Sequence, residues 1–181
     1  LQTRYLILEG LKLIKNKLNK NKLISVLVDA QMYSMNNKVS INGIGFYICP
    51  LINSMIRIGE YEDKCIMFEA LCNSDRMLDR KVRGKGIVNI QEYVLKACQS
   101  SNRKQKKITE ENAETLSEQI NLHEMDKLPI LICNAGDEVD GNFTGLIANR
   151  LADQYQRPCL LMRRNGNVCK GSGRGSDKCE I

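Results

Sequence analysis

The sequence predicts an α/β protein, helical first and mixed later. Three observations carry this. Apolar residues recur at helical spacing through the first eighty or so positions. A long amphipathic stripe follows, broken by a polar, cationic stretch. Beyond position 126, short apolar runs bounded by Pro and Gly flank one helical segment. Residues 1–84 therefore read as a mostly helical part, 85–122 as one long linking helix, and 123–181 as a partial α/β unit that stops abruptly.

TRYLILEGLKLIKNKL opens the helical part. Leu6, Leu13 and Ile14 keep roughly helical spacing, and Thr3 is placed to cap the helix. NKLISVLVDAQM reads as a second, shorter helix, and SMNNKVSINGIG is rich in turn formers. In GFYICPLINSMIRIGE a helix starting near Pro50 fits, because a first turn leaves its N–H unpaired and proline has none to lose. YEDKCIMFEALCN follows as a helix with Cys65, Phe68 and Leu71/Cys72 on one side. RKVRGKGIVN is a basic, glycine-containing break.

After the break Ile87, Ile90, Val94 and Cys98 step by three or four, and Ile108, Leu116 and Ile120 resume the stripe. Between them SSNRKQKK supplies four cations and no apolar residue. One helix over 87–121 would be roughly 50 Å long at ~1.5 Å per residue. A helix polar all round at its middle commonly bridges two domains.

KLPILICNAG has the pattern of a buried strand between Pro129 and Gly136. DGNFTGLIANRLADQYQ reads as a helix, with Asn142 as N-cap and Ile147, Leu151 and Tyr155 as its apolar line. RPCLLMRR is a second strand. NGN has a hairpin-turn signature, and VCKGSGRG begins a third strand.

The net charge of +6 favours an anionic partner without requiring one. Three Phe, six Tyr and no Trp leave little for a binding mode built on aromatic stacking alone. Eight cysteines, none in a C-x-x-C pair, and the single His123 do not make a zinc pattern. They read as reduced, mostly buried thiols of a cytoplasmic protein. No apolar run approaches the ~18–20 residues of a membrane span, and there is no signal peptide. A first residue of Leu rather than Met predicts a piece excised from a longer protein.

Several stretches carry charge or chemistry. In KGSGRG, glycines let successive N–H groups converge on one phosphate, and Lys170 and Arg174 can add charge-assisted bonds. The other reading of the same residues is a loose, solvated terminus. It matches neither G-x-x-x-x-G-K-[ST] nor a dinucleotide fingerprint. Arg103, Lys104, Lys106 and Lys107 spread around a helix and read as a solvated face first, a phosphate-contacting stripe second. Arg57, among apolar residues, either snorkels or points at an anion, and Arg150 is equally ambiguous. DEVD at 137–140 is the best acidic cluster for a metal, but no D-x-D, D-H-H or H-x-D pattern occurs.

In this order, the pieces resemble the RecJ branch of the DHH phosphoesterase superfamily. RYLILEGLKLI resembles the helix that follows the metal-binding part of its DHH domain. IGFYICPLINSMIRIGE resembles its I-G-F-x-I-G-P-R-I-N-A-A-G-R-x-G segment through Gly45, Phe46, Pro50, Ile52, Asn53, Arg57 and Gly59. Cys49, Leu51 and Ile56 depart from that pattern, replacing a glycine, an arginine and a glycine. SSNRKQKKI resembles the N-R-x-x-[QR] stretch of the interdomain helix. NFTGLIANRL, YQRP and KGSGRG resemble the start of a DHHA1 domain.

The resemblance implies part of a single-strand-specific DNA exonuclease. Its metal-binding aspartates and histidines, which hold manganese or magnesium, would lie before Leu1, so this piece would bind no metal and carry no catalytic residue. Its partner would be single-stranded DNA, gripped by Lys170, Gly171, Ser172, Gly173 and Arg174, with Asn53 and Arg57 lining the groove and Arg150 adding to it. A truncated sheet edge would invite pairing into a homodimer. The departures at 49, 51 and 56 support an alternative, a non-catalytic nucleic-acid-binding or scaffold protein of the same ancestry.

Overall fold

The structure, a computed structural model, describes residues 2–82, 85–137 and 139–175. The chain forms two compact units, Leu1–Gln105 and Lys106–Ile181. Its helices and its small mixed sheet bear out the α/β class.

The first unit holds α1 (Gln2–Lys15), α2 (Lys22–Gln31), α3 (Ile41–Gly43), a π-helical segment (Ile44–Ile48), α4 (Cys49–Ile58), α5 (Tyr61–Leu71) and the hairpin strands β1 (Met77–Val82) and β2 (Lys85–Asn89). It also holds the first half of α6 (Ile90–Leu122). Leu23, Leu27, Met55, Ala70, Val94 and Cys98 have no exposed surface and form the centre of its core. Asparagines lace α2 to the end of α5. Asn21 caps α2 by accepting from the Ile24 N–H at 3.0 Å. Its Nδ2 donates to the Leu71 carbonyl at 2.8 Å. Asn73 Oδ1 accepts from the Lys22 N–H at 2.9 Å.

Several local expectations change. Thr3 lies inside α1 and does not cap it. Helix formation does not wait for Pro50. It begins at Ile41, with Ser40 Oγ accepting from the Gly43 N–H at 2.9 Å. The chain then passes through the π segment, where the Cys49 N–H reaches back to the Ile44 carbonyl. Pro50 has no N–H, and its ring crowds the carbonyl four residues back; the widened turn ahead of it relieves that conflict. On α5 the buried residues are Ile66, Met67 and Ala70, whereas Cys65 and Phe68 face solvent. Apolar residues surround this helix, so spacing alone did not choose its inner face. The contact with α2 did.

The largest correction is β1–β2. The first eighty residues are not all helical, and the basic break forms an antiparallel hairpin pairing Met77 with Asn89 and Leu78 with Val88. Leu78 and Val88 are buried as a facing pair, while Ile87 is 65% exposed. Ile87 is therefore a strand residue, and the long helix begins at Ile90. Arg83 and Gly84 of that break lie outside the described residues.

Ile41–Ile58 make an 18-residue helical run of hydropathy 1.2, long and apolar enough to cross a membrane. That amends the expectation that no run approaches such a length. Ile48, Leu51, Ser54 and Met55 of this run are buried in the first unit.

The second unit contains the rest of α6, a 3-10 turn (Met125–Lys127), β3 (Leu131–Asn134), α7 (Thr144–Tyr155), β4 (Cys159–Asn165) and β5 (Val168–Arg174). Its sheet has the order β3–β4–β5. The first pair is parallel, as a helical crossover permits, and the second antiparallel, as a hairpin requires. α7 packs against β4 and β5, burying Ile147, Ala148, Leu151 and Ala152 with Cys159 and Leu161 of one sheet face. Tyr155 extends the line, its hydroxyl 3.1 Å from Asn121 Oδ1.

The thiols are less buried than the sequence suggested. Of the seven described cysteines, all free, Cys49, Cys65, Cys72 and Cys169 are exposed and Cys98, Cys133 and Cys159 buried. Cys179 lies outside the described residues. Burial, with the Asp63 charge adding to it, pushes the Cys98 thiol from its ordinary value near 9 up to about 12. The protonated form is the one the fold favours. This contribution to stability is therefore full below pH 9 and is lost as pH rises toward 12. At pH 8, iodoacetamide should modify Cys49, Cys65, Cys72 and Cys169 within minutes and leave Cys98 untouched until the protein unfolds. Peptide mass spectrometry reads this, and modification of Cys98 at the rate of Cys65 would refute its burial.

Candidate nucleic-acid interface

The site in the second unit starts from a two-residue turn. Gly166 and Asn167 join β4 to β5, with Gly166 at φ 60°, a left-handed conformation that glycine adopts without a Cβ penalty. The turn fixes the register: Arg163 opposite Lys170, Leu161 opposite Ser172, Cys159 opposite Arg174. Residues two apart share a face, so Lys170, Ser172 and Arg174 stand on the face that α7 covers. KGSGR is therefore a paired strand as far as Arg174.

Two glycines make this arrangement possible. A Cβ at Gly171 would lie 2.0 Å from the Leu161 carbonyl oxygen and 2.6 Å from Met162 Cα. Gly145, at the second position of α7, faces β5. A Cβ there would lie 2.8 Å from Arg174 Nη2 and 3.3 Å from Ser172 Oγ. Beside it, Thr144 Oγ1 is 3.1 Å from Ser172 Oγ. The strand thus lays a hydroxyl and a guanidinium across the first turn of α7. The Leu146 and Ile147 N–H groups donate to the Phe143 carbonyl at 2.9 and 3.0 Å. The Thr144 and Gly145 N–H groups have no partner among the described residues, so they are available at the positive end of the helix.

Here a cleft of about 610 Å³ opens, lined by Asp137, Gly141, Thr144, Arg163, Arg164, Lys170, Gly171 and Ser172. Three cations face one carboxylate. Backbone carbonyls hold the guanidinium groups. Arg163 donates to Gly136 and Asp137, both at 3.3 Å, Arg164 to Gly166 at 3.0 Å, and Arg174 to Gly173 at 2.7 Å. Each guanidinium carries five donors, so most remain for a ligand.

The sequence-designated residues separate into groups. Lys170, Gly171 and Ser172 line the cleft, and Gly173 and Arg174 continue the same strand. Arg150 is not among the lining residues; its Nη2 donates to Glu110 Oε1 at 2.8 Å. Asn53 and Arg57 belong to the first unit, four residues apart on one side of α4. Asn53 is exposed, and Arg57 Nη1 donates to the buried Gln105 Oε1 at 2.8 Å. Leu51, where the related pattern has an arginine, is 3% exposed and serves the core. Arg103, Lys104, Lys106 and Lys107 are exposed, with Lys107 3.6 Å from Glu111.

Asn142 does not cap α7. Its N–H donates to Asp140 Oδ1 at 2.8 Å, so the aspartate organises the turn before the helix. Glu138 of DEVD lies outside the described residues. Among the described residues no three His, Cys, Asp or Glu side chains converge as metal ligands would. The cleft also takes in Arg163 and Arg164, which no sequence motif marks. The NGN turn could have found them, because a two-residue loop forces position 163 opposite 170.

No protein-family profile matches the chain. Over 98% of its length it is 34% identical to YorK of Bacillus subtilis (strain 168), provisionally named an SPbeta prophage-derived single-strand DNA-specific exonuclease. The same identity and coverage hold for the protein of that name from Bacillus phage SPbeta. The chain spans about a third (31%) of the length of these curated relatives. Among solved structures it superimposes on exonuclease RecJ bound to manganese. That match has a TM-score of 0.57 at 18% identity, covering 88% of this chain and 35% of that one. Over 88% of its length the chain therefore has the fold of that part of RecJ.

The glycine requirement is testable. Gly171→Ala drives a methyl group into fixed backbone and should cost about 1–3 kcal/mol or more in urea denaturation. Gly173→Ala meets only the end of the Leu160 side chain, at 2.9 Å, and should cost less. Equal stabilities of the two variants would contradict the close approach of β5 to β4.

Proposed function

We propose that this chain is the substrate-gripping part of a metal-dependent exonuclease that degrades single-stranded DNA. The cleft of the second unit is the observation that supports it most. Lys170, Arg163 and Arg164 set its charge, and the Thr144 and Gly145 N–H groups, without a partner among the described residues, supply directional donors; the Thr144 hydroxyl is already donated to the Gly141 carbonyl. Arg174 lies across the first turn of α7 beside them. A phosphodiester asks for this combination of diffuse positive charge and short neutral donors. The names of the curated relatives, single-strand DNA-specific exonucleases, support single-stranded DNA as the polymer.

Bases need no reading for such a grip. Phosphate contacts set affinity and position, and an exonuclease must accept every sequence. Asn53 and Arg57 form a second contact set on α4, where Arg57 keeps donors beyond the one given to Gln105. Arg150 would have to release Glu110 to join it. Free thiols fit a reducing, cytoplasmic compartment.

Hydrolysis belongs to the remainder of the protein. RecJ was solved with manganese, and manganese or magnesium would supply the activated water. The described residues of this chain do not fit such an ion. Their part is to hold the strand so that the scissile phosphate stays in place.

Fluorescence anisotropy of a labelled single-stranded oligonucleotide, with the full-length protein, tests the grip. Arg174→Ala should lower affinity by about tenfold or more. It should also flatten the slope of log affinity against log salt by about 0.7. Unchanged affinity and slope would remove Arg174 from the interface.

A further inference from the structure

A second cleft adjoins the cationic one and differs from it in chemistry. It measures about 510 Å³ and lies between the C-terminal half of α6 and the loop after β3. Asn112, Thr115 and Gln119 line one side, and Asn134 and Asp137 the other. Its apolar lining comes from Leu116, Ala135 and Val139, at most 6% exposed. No lysine or arginine lines it. Asp137 lines both clefts, so the two adjoin at that residue.

The hydrogen-bonding capacity here is largely unspent. Gln119 has no side-chain partner among the described residues. Asn112 uses only Nδ2, donated to the Ile108 carbonyl at 2.8 Å. Asn134 uses only Oδ1, which accepts from the Gly136 N–H at 3.1 Å. Free amide donors and acceptors thus line a cleft whose apolar residues are nearly covered. A phosphate finds no cation among its described lining residues, and an aliphatic ligand would strand its carboxamides. A flat heteroaromatic ring, with donors and acceptors along its edge, suits the amides.

We infer that this second cleft is a nucleobase site, holding the base of a nucleotide whose phosphate occupies the cationic cleft. Carboxamides present a donor and an acceptor and can rotate to exchange them, so the site accepts purine and pyrimidine edges alike. The inference rests on the single-stranded-DNA reading above and adds to it a contact that phosphate binding alone does not use.

The test compares a labelled single-stranded oligonucleotide with an abasic oligonucleotide of equal length, using the full-length protein. Wild-type protein should bind the base-bearing strand more tightly. The double variant Asn112→Ala, Gln119→Ala should lose about tenfold on that strand, as two neutral hydrogen bonds would give, and nothing on the abasic strand. Both positions are on a helix surface, and an unchanged thermal midpoint would show the fold intact. Equal wild-type affinity for both strands, or an equal loss on both in the variant, overturns the base site and leaves the phosphate grip standing. Failure of the wild-type protein to bind either strand overturns both.

Discussion

One missing side chain sets the second unit. β5 can lie against β4 as it does only because position 171 has no Cβ, since the nearest carbonyl oxygen would be 2.0 Å from it. From that approach the rest follows. The pairing carries Ser172 to the hydroxyl of Thr144 and Arg174 to the open surface of Gly145. It also holds Lys170 opposite Arg163. Two like charges on facing positions repel. The arrangement persists because Arg163 turns its guanidinium to the Gly136 and Asp137 carbonyls, and an anion in the cleft would relieve what repulsion remains.

Preorganisation is the energetic theme of the cleft. A free arginine loses rotamer entropy when it binds a ligand, and loops lose more. Here backbone carbonyls already restrict the three guanidinium groups, and the first turn of α7 holds its amides rigidly. Binding then costs little ordering. Each such tether is one or two exposed hydrogen bonds, weak enough to exchange when a ligand binds.

The sequence was legible where one rule governed a segment. α2, the long helix, β3, α7 and β4–β5 follow from periodicity and turn chemistry, and the ordered motifs identified the relatives. It was illegible where two rules competed. Ile87 keeps helical spacing with Ile90, yet the pairing of Leu78 with Val88 claimed it for a strand. α5 has apolar residues on every side, so its inner face depended on a partner helix that spacing does not reveal. The candidate site was half legible. KGSGR was found by ancestry, but Arg163, Arg164 and the carboxamide cleft required a register and a loop path. These are long-range facts, and local pattern carries little of them.

The π segment at Ile44–Ile48 has a consequence for how this chain tolerates change in length. A π turn takes in about one more residue than an α turn over the same span. Deleting one residue there would convert it to α-helix at little local cost. The same deletion would leave the helical parts on either side in their present phase, because the π turn and the α turn sweep nearly the same arc. The segment therefore acts as a phase joint. It can lose one residue without turning Ile48 out of the core, whereas a deletion within α4 would rotate one part of the helix by about 100° against the other.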